Sequence, residues 1–133
     1  MPGRVAWMPC WMPCLDRHLD KMAHSSRTGF SHERLDVYRV ALEFSEWVAC
    51  QAGIRSNLRD QLQRASDSVV LNIAEGAGQQ SKAVARRHYR IALGSAAECA
   101  AVLDLLRIQK LTTDEAGSQL VARVGAMLNR MAR

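Results

Sequence analysis

The sequence predicts a single, soluble all-α domain folded as an up-down-up-down four-helix bundle. Its 133 residues are the usual size of one domain, about 100–150 residues. Hydrophobic residues make up 48% and aromatic residues only 5%, with three prolines and eight glycines. Because turn-rich β folds need more aromatic, Gly and Pro residues, this composition favours helices. No apolar run approaches the roughly 18 uncharged residues of a membrane span.

The first 29 residues have a composition unlike the remainder. Trp7–Cys10 is repeated at once as Trp11–Cys14, and the proline in each repeat interrupts a helix. We expect residues 1–29 to be a disordered leader and residues 30–133 to form the bundle. Met22 is an alternative start of translation, which would make the repeat an artefact of an early start assignment.

The four cysteines, Cys10, Cys14, Cys50 and Cys99, predict free thiols in the reducing cytoplasm, because no secretory signal precedes them. Cys10, Cys14 and His18 are spaced by four residues, as metal ligands on one helix face would be. Three ligands without a fourth, beside helix-breaking prolines, favour the disordered leader over a metal site. Neither a metal nor another cofactor is expected.

The first two helices are predicted from Ser31 onward. Ser31 is expected to cap helix one and Gly53 to end it, with an apolar stripe at Leu35, Tyr38, Ala41, Leu42, Ser45 and Val48. Helix two is predicted from Asn57 to Glu75. Its seam steps by three or four residues through Leu58, Leu62, Ala65, Val69 and Ile73.

Two further helices complete the bundle. Ser81 is expected to cap helix three, which runs to Gln109 over core positions Ala85, Tyr89, Ala92, Ala96, Cys99, Val102, Leu103 and Leu106. Gly94 in mid-helix costs about 1 kcal/mol relative to Ala and lets another backbone come close. Thr112 and Glu115 form a capping-box pattern. The helix that they open has apolar residues Leu120, Val121, Val124, Met127, Leu128 and Met131.

A polar stripe adjoins the apolar seam of helix two. Gln61, Arg64, Ser68, Asn72 and Glu75 recur at steps of three or four residues. If helices two and three are antiparallel, Arg64 lies close to Ser95 and Glu98, and we expect an Arg64–Glu98 ion pair. We interpret these seven residues as a partly buried network that fixes helix register. The alternative is a polar functional site, but no nucleophile–base pair is present and no catalytic residue is predicted.

Basic residues are concentrated at the start of helix three. The chain has 18 basic and 13 acidic residues, a net charge of +5. Lys82, Arg86 and Arg90 stack at intervals of about 6 Å on one face, with Arg87 and His88 adjoining. Such a ridge fits a phosphate backbone and predicts salt-dependent nucleic-acid binding that is indifferent to sequence. The alternatives are a solvated face, or pairing with acids of helix one across a subunit boundary.

Three segments carry a resemblance to a known family: Phe30–Ala41, Gln61–Gly76 with its Asn-Ile-Ala-Glu-Gly motif, and Tyr89–Glu98. They resemble the four-helix proteins encoded by 23S rRNA intervening sequences, to which accessory proteins of diversity-generating retroelements are related. The resemblance covers about residues 30–132. The chain departs from the family pattern at Val69, where Ile is usual, and at Ala97, where a larger apolar residue is usual.

The resemblance implies a four-helix protomer in a ring, typically a pentamer, without established enzymatic activity. In the retroelement branch it implies a basic ring that works with a reverse transcriptase and RNA. Since fold kinship alone does not establish function, three hypotheses follow. The first is a non-enzymatic assembly protein that binds RNA or DNA phosphates, as an accessory to a partner such as a reverse transcriptase. The others are a protein-interaction scaffold without nucleic acid, and an enzyme using the polar stripe.

Overall fold

The computed structural model describes residues 28–51, 53–54, 56–111 and 115–133. The repeat, Met22, the Cys10–Cys14–His18 spacing and Thr112 lie outside the described residues. Within them, a short 3-10 turn, Ser31–Arg34, precedes four helices, and no strand is present. The helices are α1 (Asp36–Ala49), α2 (Ser56–Ala77), α3 (Lys82–Ile108) and α4 (Ala116–Met131).

The four helices pack as the predicted bundle. Each helix packs against its neighbour along the chain, and α4 packs against α1; in the described residues no Cα atoms of the diagonal pairs α1–α3 and α2–α4 come within 8 Å of each other. The all-α four-helix prediction is therefore confirmed. None of the described helices combines the length and the hydropathy that crossing a membrane requires.

The ends of α3 follow local chemistry. Ser81 caps the helix as predicted, since its hydroxyl accepts a hydrogen bond from the Val84 amide at 3.4 Å. At the other end, the Leu111 amide donates to the Leu106 carbonyl at 2.9 Å and the Lys110 amide to that of Arg107 at 3.0 Å. These two bonds form a Schellman motif, which requires a left-handed residue at Lys110, with φ of 56°.

The predicted ends of helix one were wrong. Ser31 opens the 3-10 turn, and α1 begins five residues later without a side-chain cap. The Glu33 carboxylate instead accepts hydrogen bonds from the Thr28 and Gly29 amides, at 3.0 and 3.2 Å, and from the Thr28 hydroxyl. These bonds hold the chain that enters the turn. The helix ends at Ala49, and Gly53 lies beyond it in the connection, with φ of 85°.

The predicted box at the start of helix four is also not formed as expected. The helix begins at Ala116, and Glu115 stands at its N-cap position rather than three residues inside it. The side chain of Glu115 makes no capping hydrogen bond. The first turn of α4 is instead fixed by packing, because Gly117 is buried against the ring of Trp47.

The core confirms the seam of α2 and most of that of α3, but the stripe of α1 was only partly right. Five α2 positions, Leu58, Leu62, Ala65, Val69 and Ile73, are all buried. In α1 the buried residues are Val37, Val40, Ala41, Phe44, Trp47 and Val48, whereas Leu35, Tyr38, Leu42 and Ser45 are half-buried. Apolar residues occupy much of the circumference of α1. The large rings of Phe44 and Trp47 occupy the core because their burial removes the most apolar surface from water.

Candidate nucleic-acid interface and polar network

The four predicted phosphate contacts lie on the first turns of α3. Lys82, Arg86, Arg87 and Arg90 are all exposed. Within the described residues, none of them forms an ion pair with an Asp or Glu side chain. The helix brings them together because residues three and four apart share a face. The result is a concentration of positive charge at one end of the bundle.

Two of these arginines also hold the end of α4. Arg86 Nη1 donates to the main-chain oxygen of Arg133 at 3.4 Å, and Arg90 Nε donates to that of Ala132 at 3.2 Å. A helix C-terminus presents unpaired carbonyl groups and partial negative charge, which a guanidinium satisfies. Sequence reasoning missed this contact. The available signal was topological, since an up-down-up-down bundle places the last helix end beside the first turns of α3.

These contacts put Arg133, itself exposed, next to the α3 ridge. We use the name basic end for the five exposed residues Lys82, Arg86, Arg87, Arg90 and Arg133. Within the part of the chain that is described, Lys82 and Arg87 make no hydrogen bond comparable to those of Arg86 and Arg90. Of its four cations on α3, Lys82 and Arg87 are therefore uncommitted within the described residues, and Arg86 and Arg90 each have one N–H engaged.

A hydrogen-bonded network joins α2 and α3 next to the basic end. His88 Nδ1 lies 3.2 Å from Asn72 Oδ1 and 3.1 Å from Glu75 Oε2. The Asn72 amide donates to the Ser68 carbonyl at 2.9 Å, and the Ser68 and Ser95 hydroxyls are 2.8 Å apart. Both acceptors face the same ring nitrogen, so Nδ1 carries a proton. The network ties two turns of α2 to two turns of α3.

Four of the seven residues predicted for this network, Ser68, Asn72, Glu75 and Ser95, are brought together; three are not. Gln61, Arg64 and Glu98 are exposed, and no ion pair joins Arg64 to Glu98 within their described helices. The expected pair was wrong because both side chains stay hydrated on the outer surface. An ion pair between exposed side chains gains at most about 1 kcal/mol, which the entropy lost by holding two long side chains in one geometry can cancel.

His88 is the network residue that sequence reasoning missed. The arginines around it in the sequence indicate an exposed basic face rather than a contact between helices. The register fixed by the Ser68–Ser95 contact places residue 88 level with residue 75 on the antiparallel neighbour. Glu75 and His88 could therefore have been paired once that register was known.

No serine hydroxyl of the described network is hydrogen-bonded to the His88 ring. Ser68 contacts Ser95 and Asn72, and His88 bonds Asn72 and Glu75 rather than a serine. Among the described residues, no cluster of His, Cys, Asp and Glu could hold a metal ion.

Burial, with a smaller effect of the Glu98 charge, raises the pKa of the Cys99 thiol to about 12, so it stays protonated and unreactive at neutral pH.

Comparison with known proteins agrees with this bundle. The search of curated proteins and the search of solved structures returned no match. A family model described as 23S rRNA-intervening sequence protein matches residues 33–132, which include all four helices up to the residue after α4. Since the match spans well over half of the chain, the protein belongs to the 23S rRNA-intervening sequence protein family.

Proposed function

We propose that this chain is a non-enzymatic assembly protein that self-associates and binds RNA or DNA phosphates through the basic end. One observation carries the proposal: four exposed cations lie within three turns of α3 without an Asp or Glu partner in the described residues. Unpaired like charges repel one another at this spacing. A polyanion lowers that repulsion and releases its own condensed counterions on binding.

The contacts to α4 leave most of this charge available. Each guanidinium has five N–H donors, and Arg86 and Arg90 each use one of them on a main-chain oxygen. Within the described residues, neither Lys82 nor Arg87 donates a hydrogen bond to a main-chain oxygen of α4. Binding through such groups follows the phosphate backbone and reads no bases.

Self-association would multiply a weak contact. Several basic ends on one assembly raise avidity without any new contact on the protomer. The resemblance implies a ring, typically a pentamer, and the family description makes structured ribosomal RNA the first ligand to test. A reverse transcriptase-like partner is the corresponding proposal from the retroelement branch.

The test is RNA binding by the full chain, followed by fluorescence anisotropy. Four phosphate contacts predict about a hundredfold loss of affinity for duplex RNA or DNA between about 50 and 200 mM salt. Lys82→Gln with Arg87→Gln should weaken binding by about tenfold. Arg59→Gln with Arg64→Gln removes the same charge from exposed positions of α2. This control should change the affinity for RNA by less than about threefold. Salt-independent binding, or equal losses in both double variants, would contradict the basic end.

A second candidate function, a protein-interaction scaffold without nucleic acid, is favoured by the bonds from Arg86 and Arg90 to Ala132 and Arg133. In that case these arginines serve the fold alone. An oligomer that shows no measurable affinity for RNA or DNA at low salt would support this function and exclude the first.

A further inference from the structure

Two aromatic rings form an exposed surface just before α1. The rings of Phe30 and His32 are nearly parallel, with 14° between their planes and 5.9 Å between their centroids. We call these two residues the aromatic platform. Phe30 is 65% exposed in the described chain, whereas His32 is half-buried. An exposed aromatic ring leaves a large apolar surface in water, and covering that surface with a ligand is favourable.

The aromatic platform is fixed by contacts that start at the core. The His32 ring meets the Tyr38 ring edge to face, with their centroids 4.6 Å apart, and Tyr38 packs against the hydrophobic core. The Glu33 carboxylate accepts a hydrogen bond from the Gly29 amide at 3.2 Å, which holds the backbone that leads into Phe30. A ring that is already held in place loses little conformational freedom when a ligand covers it.

The aromatic platform and the basic end lie at the same end of the bundle. In an up-down-up-down bundle the start of α1, the end of α2, the start of α3 and the end of α4 are level with one another. The 3-10 turn that contains His32 packs against α1 and α2, and the bond from Arg90 to Ala132 joins α3 and α4 at that end. Neighbouring helix axes lie about 9 Å apart, so α1 and α3 at opposite corners are separated by about 13 Å.

The surface between the two sites is compatible with a polyanion. The connection from α2 to α3, residues 78–81, is uncharged and fully exposed. Of the acids at this end, Glu75 bonds His88 and Glu33 bonds Gly29, so both carboxylates already have a donor. Arg34 is exposed next to the aromatic platform and has no Asp or Glu partner in the described residues. It adds one cation to those of the basic end.

We infer that the aromatic platform binds an unpaired base of single-stranded RNA or DNA. The base stacks on the side of Phe30 that faces away from His32, while phosphates of the same strand contact the basic end. This inference rests on the proposed function, because the basic end supplies most of the positive charge. Proteins that bind single strands combine aromatic stacking with a basic surface, and the stacking tolerates any sequence. In a duplex the bases are already stacked on one another, so the platform favours single strands.

The test compares two single strands that have the same number of phosphates, each binding to the full chain and followed by fluorescence anisotropy. One is a thymidine decamer of DNA, and in the other every base is replaced by an abasic residue. We expect the parent protein to bind the thymidine decamer at least about fivefold more tightly, because each stacked base adds affinity. Both affinities should fall alike with rising salt, since the phosphate contacts are the same.

Variants at residue 30 separate stacking from charge. Phe30→Ala should bind the two decamers alike, with the affinity of the parent for the abasic strand. Phe30→Tyr keeps an aromatic ring and should keep the preference. Leu71→Ala is the matched control, because Leu71 is 62% exposed and aliphatic, and it should also keep the preference. Since both positions are exposed, helical circular dichroism should be that of the parent in every variant.

The outcomes separate this inference from the proposed function. Equal, salt-dependent binding of the two decamers by the parent would overturn the stacking contact and leave the basic end intact. A preference that survives Phe30→Ala, or that Leu71→Ala removes to the same extent, would also overturn the stacking contact. If the parent binds neither decamer at low salt, both proposals are wrong.

Discussion

Individual contacts set the tightest constraint where α4 meets α1. Trp47 is fully buried, and a Cβ built on Gly117 would lie 2.5 Å from atoms of its ring. Atoms at that distance cannot both stay in place, so the absence of a side chain at Gly117 is what lets the first turn of α4 approach the core. This explains a glycine at a helical position that propensity alone disfavours.

We predict that Gly117→Ala lowers the free energy of unfolding by about 1–3 kcal/mol, because the indole must shift within a close-packed core. Adding Trp47→Phe to this variant should lower the free energy of unfolding by less than Trp47→Phe does in the parent protein. The smaller ring of Phe leaves room for the methyl group introduced at residue 117. Gly125→Ala is the control. Its Cβ meets no atom within 4 Å, and the helix should gain up to about 1 kcal/mol. Denaturant titrations give these values, and additive losses in the double variant would contradict the packing argument.

The structural roles of some single residues could be predicted from the sequence, and those of others could not. The seam of α2 was readable because five apolar residues recur at regular steps among polar ones. Gly117 gave no such signal, since its role depends on a ring that is 70 residues earlier in the chain. The same holds for His88, whose partners became apparent only from the register between α2 and α3.

At the scale of helices, ends were harder to predict than interiors. Ser81 capped α3 as expected because its signal is local. The start of α1 was misplaced because Glu33 bonds backward to Thr28 and Gly29, an arrangement that competes with a Ser31 cap. The spacing of apolar residues predicted the positions of all four helices. Their ends depend on polar side chains that have more than one possible hydrogen-bond partner.

The C-terminus of α3 provides a prediction at this scale. Lys110 takes the left-handed position of the Schellman motif, with φ of 56°, where a Cβ is unfavourable and glycine is usual. Lys110→Gly should therefore raise the free energy of unfolding by about 0.5–1 kcal/mol. Gln109→Gly, one residue earlier at φ of −80°, relieves no strain and should lower the free energy of unfolding. Thermal unfolding of the two variants gives the comparison, and a loss at both positions would argue against the motif.

For the whole molecule, the sequence predicted the fold class, the order of the helices and most of the core, because all three follow from periodicity and connection length. It also placed four cations on one surface, since their spacing lies within a single helix. It could not show that two of them reach a helix whose last residues are more than 40 positions away. Contacts between the first turns of α3 and the end of α4 exist only once the bundle has closed.

The basic end therefore combines a structural contact with the proposed ligand contact, and charge-matched variants separate the two. Arg86→Gln with Arg90→Gln removes the donors to Ala132 and Arg133, and should lower the free energy of unfolding of the ligand-free protein by about 1–2 kcal/mol. Lys82→Gln with Arg87→Gln removes the same charge from residues without such a bond, and should leave unfolding within about 0.5 kcal/mol of the parent. Both pairs should weaken RNA binding, because phosphates interact with all four cations. If stability falls equally in the two double variants, net charge rather than the hydrogen bonds to α4 controls it, and the guanidinium contacts contribute nothing to closing the bundle.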